Sequence, residues 1–114
     1  MADVVYINVE EGTKRVMNNS KLYAKLLVKF KDDHSLSEIK GFLSAGDMEK
    51  AQAATHTLKG LAANLSLTEL FKQSFELETQ IKGGSVIPDQ ITILEDTYAQ
   101  SLKEIDKVIA QYGL

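Results

Sequence analysis

Thr55-His56-Thr57-Leu58-Lys59-Gly60-Leu61-Ala62-Ala63-Asn64-Leu65 is the stretch from which the rest of this chain can be read. It is the second half of a helix expected to start near Asp47 and to run from about Met48 to Ala63. Met48, Ala51, Thr55, Leu58, Ala62 and Leu65 recur at the alternating three- and four-residue spacing of one buried helical seam. With successive residues about 100° apart, His56 stands roughly 140° from the middle of that seam and so faces water. Lys59, three residues on, shares its face. Gln52, Gly60 and Ala63 surround the pair. Glycine inside a helix costs about 1 kcal/mol relative to alanine, and it often serves to let another group come close. Here it clears the space beside an exposed imidazole.

Outward from this helix the chain reads as helices joined by short turns. Val4, Val5, Tyr6 and Ile7 form an N-terminal arm, residues 1–7, expected to pack on the domain. Asn8, with Glu11 three residues later, fits an N-cap and its reciprocal acid for a short helix over Val9 to Met17. Gly12 weakens that helix, which must then depend on tertiary packing. Asn18-Asn19-Ser20 is a turn and cap. Leu22, Tyr23, Leu26, Leu27 and Phe30 give an amphipathic stripe, interrupted near Asp33 and resumed by Leu36, Ile39, Phe42 and Leu43. Gly46 suits a left-handed helix end and Asp47 caps the next helix. Ser66-Leu67-Thr68-Glu69 reads as a capping box, with Asn64 left-handed before it. Leu67, Leu70, Ser74, Leu77 and Ile81 form the next seam, which ends at Lys82-Gly83-Gly84-Ser85. Pro88 suits a first helical position. Ile91, Leu94, Tyr98, Ser101, Ile105, Val108 and Tyr112 then form the most regular seam, reaching almost to the end. The predicted fold is all-α: a single domain over residues 1–114, built as an antiparallel up-down-up-down four-helix bundle with a short additional N-terminal helix.

Composition narrows the function. A chain of 114 residues with 44% hydrophobic residues can fill one core. A formal net charge of −3 argues against nucleic acid or an anionic membrane as the main partner. There is no cysteine, so thiolate chemistry and disulfides are excluded. No apolar run approaches the ~20 residues that span a bilayer, and the first residues do not read as a secretory signal. The expected compartment is the cytoplasm. No Gly-rich phosphate loop or His/Cys ligand set is present, so neither a nucleotide site nor a metal site is expected. His34, in the helix break beside two acids, reads as structural or neutral.

The motif His56-Thr57-Leu58-Lys59-Gly60 resembles the H-x-x-K-G signature of histidine-containing phosphotransfer domains, the carriers of multistep phosphorelays. Tyr23, Leu26, Leu27 and Phe30 are similar to the first bundle helix of that family. Ala45-Gly46-Asp47 resembles its turn into the phosphorylated helix, and Leu70, Leu77 and Glu78 its next helix. Thr55 stands where an alanine is frequent, Ala63 and Ser66 where many members carry glycine, and Leu67 where many carry alanine.

The resemblance implies that His56 takes a phosphoryl group and exchanges it with the aspartate of a response-regulator receiver domain. Neutral imidazole has one nitrogen free to attack phosphorus. Lys59 supplies a mobile cation for the phosphoryl oxygens, and its side chain is expected on the solvated face. Glu78 lies about 60° off its own seam; a carboxylate there can orient the His56 ring, as second groups orient bases in triads. Gln73 and Gln80 are the polar alternatives on that helix. Gln52, Ala63 and Phe75 are candidate docking residues, and Phe71 lies on the side of Phe75. The implied partners are a receiver domain and a sensor histidine kinase of the hybrid type, with the Mg²⁺ on the receiver and no cofactor on this chain. The chain is expected to be a monomer and a stoichiometric phosphotransfer protein, not an enzyme. Two alternatives stand beside this reading: a non-phosphorylated helical adaptor for a receiver or kinase, and the N-terminal phosphorylation domain of a chemotaxis-type kinase.

Overall fold

Asn8 opens the first helix. Its Oδ1 accepts the Glu11 N–H at 3.1 Å, one of the donors a helix start leaves without a partner. The helix, α1, covers Val9–Arg15. It stops short of the expected Met17 because Met17 and Asn18 take left-handed backbone angles, φ 56° and 62°. Asn19 caps α2, Ser20–Phe30, by accepting the Leu22 N–H at 3.0 Å. There follow α3 (Ser35–Ser44), α4 (Met48–Asn64), α5 (Thr68–Lys82) and α6 (Pro88–Gln111). This computed structural model describes residues 4–112, and among them there is no strand. Residues 1–3 of the arm and 113–114 lie outside the described residues. No described helix is long and apolar enough to cross a membrane.

The seams bury where periodicity places them. Ala51, Thr55, Leu58 and Ala62 of α4, Leu70, Ser74, Leu77 and Ile81 of α5, and Leu94, Tyr98, Ser101, Ile105 and Val108 of α6 are all buried. Thr55 satisfies its hydroxyl by donating to the Ala51 carbonyl at 2.7 Å. Met48 is an exception: at the first turn of α4 it stays exposed. The stripe on α2 is also rotated from the expected one. Tyr23, Ala24, Leu27 and Phe30 are buried, whereas Leu22 and Leu26 are exposed. The α4 helix packs between α3 and α5, α5 packs on α6, and α6 on α2.

The break between α2 and α3 falls at residues 31–34. Asp33 accepts the Ser35 N–H at 3.1 Å and the Ser35 hydroxyl at 2.7 Å, so it takes up the first N–H of α3. The Tyr98 hydroxyl donates to the same carboxylate at 3.0 Å, which ties the break to α6. Into α4, Gly46 takes φ 73° and the Asp47 carboxylate accepts the Lys50 N–H at 3.1 Å.

The turn from α4 into α5 differs from expectation. Asn64 remains helical, and Ser66 is the left-handed residue, φ 56°. The expected capping box does not form: Leu67 is the N-cap and makes no side-chain cap bond. Ser66 is drawn away by α1. Its hydroxyl donates to Glu11 at 3.0 Å and accepts from Arg15, and its carbonyl accepts the Asn8 N–H at 2.9 Å. The reciprocal acid of Asn8 is therefore engaged elsewhere, since Glu11 serves Arg15 and Ser66. Those two donors hold its carboxyl below the usual range. Tyr23 completes the clamp by donating its hydroxyl to the Leu65 carbonyl at 2.6 Å.

Gly12 sits where this clamp closes. A methyl group there would lie 2.4 Å from the Tyr23 ring. That ring is fully buried and held by its own hydrogen bond, so it cannot swing aside. Gly12→Ala should therefore destabilise the protein by about 1–3 kcal/mol through overpacking, in spite of the better helix former. Urea unfolding checks this; a variant as stable as the parent would mean that Tyr23 repacks freely.

Candidate functional site

Helix α4 presents His56 to solvent, with 68% of its side chain accessible. The neighbouring α5 brings Glu78 beneath it. Glu78 is 3% exposed although α5 periodicity places it only at the edge of the core. A carboxylate so buried needs partners, because taking the charge out of water is costly. It has three. His56 Nδ1 lies 3.0 Å from Oε2, Lys59 Nζ donates to Oε1 at 2.6 Å, and Lys82 Nζ stands 3.8 Å from Oε2.

The geometry determines which ring nitrogen of His56 is available. An ionised carboxylate only accepts, so Nδ1 must carry the proton in that bond. Nε2 is then the bare nitrogen of the neutral ring, whose Nδ1 side is taken by Glu78. Glu78 is ionised in spite of its burial. Burial pushes its carboxyl up, but the hydrogen bonds from Lys59 and His56, helped by the charges of Lys59 and Lys82, outweigh that and hold it below the ordinary carboxylate range.

Lys59 departs from its expected place. Its side chain is only 20% exposed. Besides Glu78, its ammonium lies 5.5 Å from the centroid of the Phe75 ring, within cation–π range. Helical periodicity put it on the solvated face, but a long side chain can lay its stem along the protein and carry its charge inward. Phe75 is half-exposed and packs 6.3 Å from Phe71, which is also exposed. Gln52 and Ala63 are half-buried on α4. A methyl group on Gly60 would meet no atom of this chain within 4 Å, so nothing inside the bundle requires glycine there.

The structure thus gathers His56, Lys59 and Glu78, with Phe75 against Lys59. The polar alternatives on α5 are engaged elsewhere. Gln90 donates to Gln73 at 3.0 Å, Gln80 donates to Gln90 at 3.2 Å, and Gln80 also accepts the Ile87 N–H. Lys82 was missed by sequence reading, where it served only to mark a helix end. The signal available was its spacing, four residues after Glu78 on the same helix. His34 is exposed before α3 and makes no side-chain cap. Among the described residues no group of three His, Asp or Glu side chains is placed to hold a metal.

Removing Lys59 leaves a buried carboxylate without its closest cation. Lys59→Ala should therefore destabilise the fold at pH 7 by about 1–3 kcal/mol, the cost of an unsatisfied buried group. The sign with pH follows from linkage. Folded Glu78 titrates below the unfolded value of 4.5, so its contribution is full above that value and is lost as pH falls through the depressed one. Urea unfolding from neutral to acid pH should show the gap between variant and parent narrowing in that window. Equal stabilities at pH 7 would contradict the pairing.

None of the curated proteins and none of the solved structures compared with the chain matches it. The family model of the Hpt domain matches residues 25–110, which include α3 to α5, most of α2 and nearly all of α6. Only α1, the arm and the start of α2 lie before the match. The chain belongs to the Hpt domain family, whose members take part in phosphorelay signalling as phosphotransfer carriers that interact with receiver domains and kinases.

Proposed function

We propose that this chain is a stoichiometric phosphoryl carrier, which takes a phosphoryl group on Nε2 of His56 from a receiver aspartate or a kinase and passes it to a receiver. The observation that carries the reading is the 3.0 Å contact between His56 Nδ1 and Glu78 Oε2. It keeps the proton on the inner nitrogen and turns the nucleophilic one outward. As Nε2 attacks, the P–N bond forms and the P–O bond to the aspartyl carboxylate breaks, and that carboxylate leaves with the electron pair. The ring becomes cationic, and Glu78 stabilises it from the other side. The reverse transfer runs through the same arrangement.

Supporting features lie around the histidine. Gly60 leaves the approach open, since a side chain there would stand in the path of an incoming domain and not against this one. Gln52, Ala63 and Phe75 form the rim on which a receiver would dock, with Phe75 an exposed aromatic suited to anchoring. The Mg²⁺ of the reaction and the acceptor aspartate belong in this reading to the receiver, and the kinase upstream is of the hybrid type. Short connections at residues 45–47, 65–67 and 83–87 support an antiparallel up-down-up-down four-helix core. We assign the protein to the cytoplasm as a monomer. A non-phosphorylated adaptor would have no use for an oriented, outward imidazole. The chemotaxis-type kinase domain would share the same phosphohistidine and differ in what is joined to it.

Incubation with ATP alone should give no label, whereas a cognate kinase and receiver should give an acid-labile, alkali-stable one. His56→Gln should abolish it while leaving helix content unchanged by circular dichroism. Acid-stable label, or label that survives this substitution, would falsify the carrier reading.

A further inference from the structure

Two lysines stand at the Glu78 carboxylate, and they are held differently. Lys59 donates to Oε1 at 2.6 Å, its side chain is 20% exposed, and its ammonium also lies on the Phe75 ring. Turning it outward to a phosphoryl group would strip a buried carboxylate of its nearest cation, which is costly. Lys82 stands 3.8 Å from Oε2, beyond hydrogen-bonding distance, and its side chain is 57% exposed. Leaving that weak, solvated pair sacrifices little. Oε2 is the same oxygen that takes His56 Nδ1, so the loosely held ammonium and the imidazole share one carboxylate oxygen. One carboxylate can neutralise one ammonium, and Lys59 occupies that place. The charge of Lys82 is therefore the uncompensated one at the site. Gly83 and Gly84 follow it, Gly84 with φ 80°, so no side chain immediately beyond crowds its reach.

We propose that Lys82 is the cation that meets the phosphoryl group on His56, and that Lys59 is a positioning residue that holds Glu78 and through it the ring. This rests on the carrier reading. The charge requirement is general: a phosphoryl group on Nε2 brings negative oxygens to the solvent side of the ring, and a flexible ammonium donates to them as a point charge. A lysine in the last turn of a helix also answers the free carbonyls there. The test must separate that role from action on the phosphate.

The wild type, Lys82→Gln, Lys82→Arg and Lys59→Gln are phosphorylated with the receiver that labels His56. Transfer rate, phosphohistidine lifetime, ³¹P chemical shift and urea unfolding are then measured. Loss of one charge-assisted hydrogen bond predicts transfer about tenfold slower in Lys82→Gln. It also predicts a moved ³¹P resonance and an altered lifetime, with unfolding unchanged and transfer restored in Lys82→Arg. Lys59→Gln should instead lose stability. Wild-type lifetime, ³¹P shift and transfer in Lys82→Gln overturn the assignment. So does a Lys82→Gln variant that is slow only because it is less stable. If wild-type His56 takes no label from any receiver or kinase, the carrier reading falls and this one with it; label on wild type with an indifferent Lys82 overturns this one alone.

Discussion

A single buried carboxylate organises the face on which His56 stands. Glu78 is tolerated at 3% exposure only because a ring N–H and an ammonium approach it at 3.0 and 2.6 Å, with a second ammonium at 3.8 Å. Its partners come from two helices: His56 and Lys59 from α4, Lys82 from its own α5. The relative placement of α4 and α5 thus sets the orientation of the His56 ring. If α5 slid by one turn, the carboxylate would lose its donors and the histidine its orientation. A buried ion pair adds little net stability against an apolar replacement, yet breaking one partner is expensive. Such a pair is better understood as fixing one arrangement than as strengthening the bundle.

The scaffold holds that arrangement from the far end of α4. The turn between α4 and α5 is clamped by α1 and α2: Tyr23 on the Leu65 carbonyl, the Asn8 N–H on the Ser66 carbonyl, and Glu11 and Arg15 on the Ser66 hydroxyl. Gly12 allows α1 to approach Tyr23 closely enough for this. The family match begins at residue 25, so α1 and Tyr23 lie outside the matched stretch, whereas Leu65 and Ser66, which they clamp, lie inside it. The short N-terminal helix fastens the turn that keeps the two site-bearing helices in register.

Much of the scaffold was legible in the sequence because periodicity reports burial directly. The seams of α4, α5 and α6 were read almost residue by residue, and Asn8, Asn19, Gly46 and Asp47 announced their turns by type. What failed did so for tertiary reasons. Ser66 looked like a cap, but a hydroxyl bonds whichever partner is nearest, and α1 brings Glu11 and Arg15 to it. The α2 stripe was rotated because seven apolar residues on eleven positions define more than one face, and the choice belongs to α6 and α1. At the site, the spacing of His56, Lys59 and Gly60 marked the exposed face. It could not show that the Lys59 side chain curls inward, since a four-carbon stem reaches further than a helical wheel resolves. Lys82 was overlooked because a lysine before two glycines has an ordinary explanation as a helix end.

If Glu78 fixes the proton of the His56 ring on Nδ1 and so bares Nε2, the ring tautomer must depend on this one carboxylate. The measurement that tests it most directly is ¹⁵N-detected NMR of the His56 ring nitrogens, at a pH where the imidazole is neutral, in the parent and in Glu78→Ala. The parent should show a protonated Nδ1 and a bare Nε2, with the proton moving towards Nε2 once the carboxylate is gone. A parent ring protonated mainly on Nε2, or the same tautomer in both proteins, would contradict it.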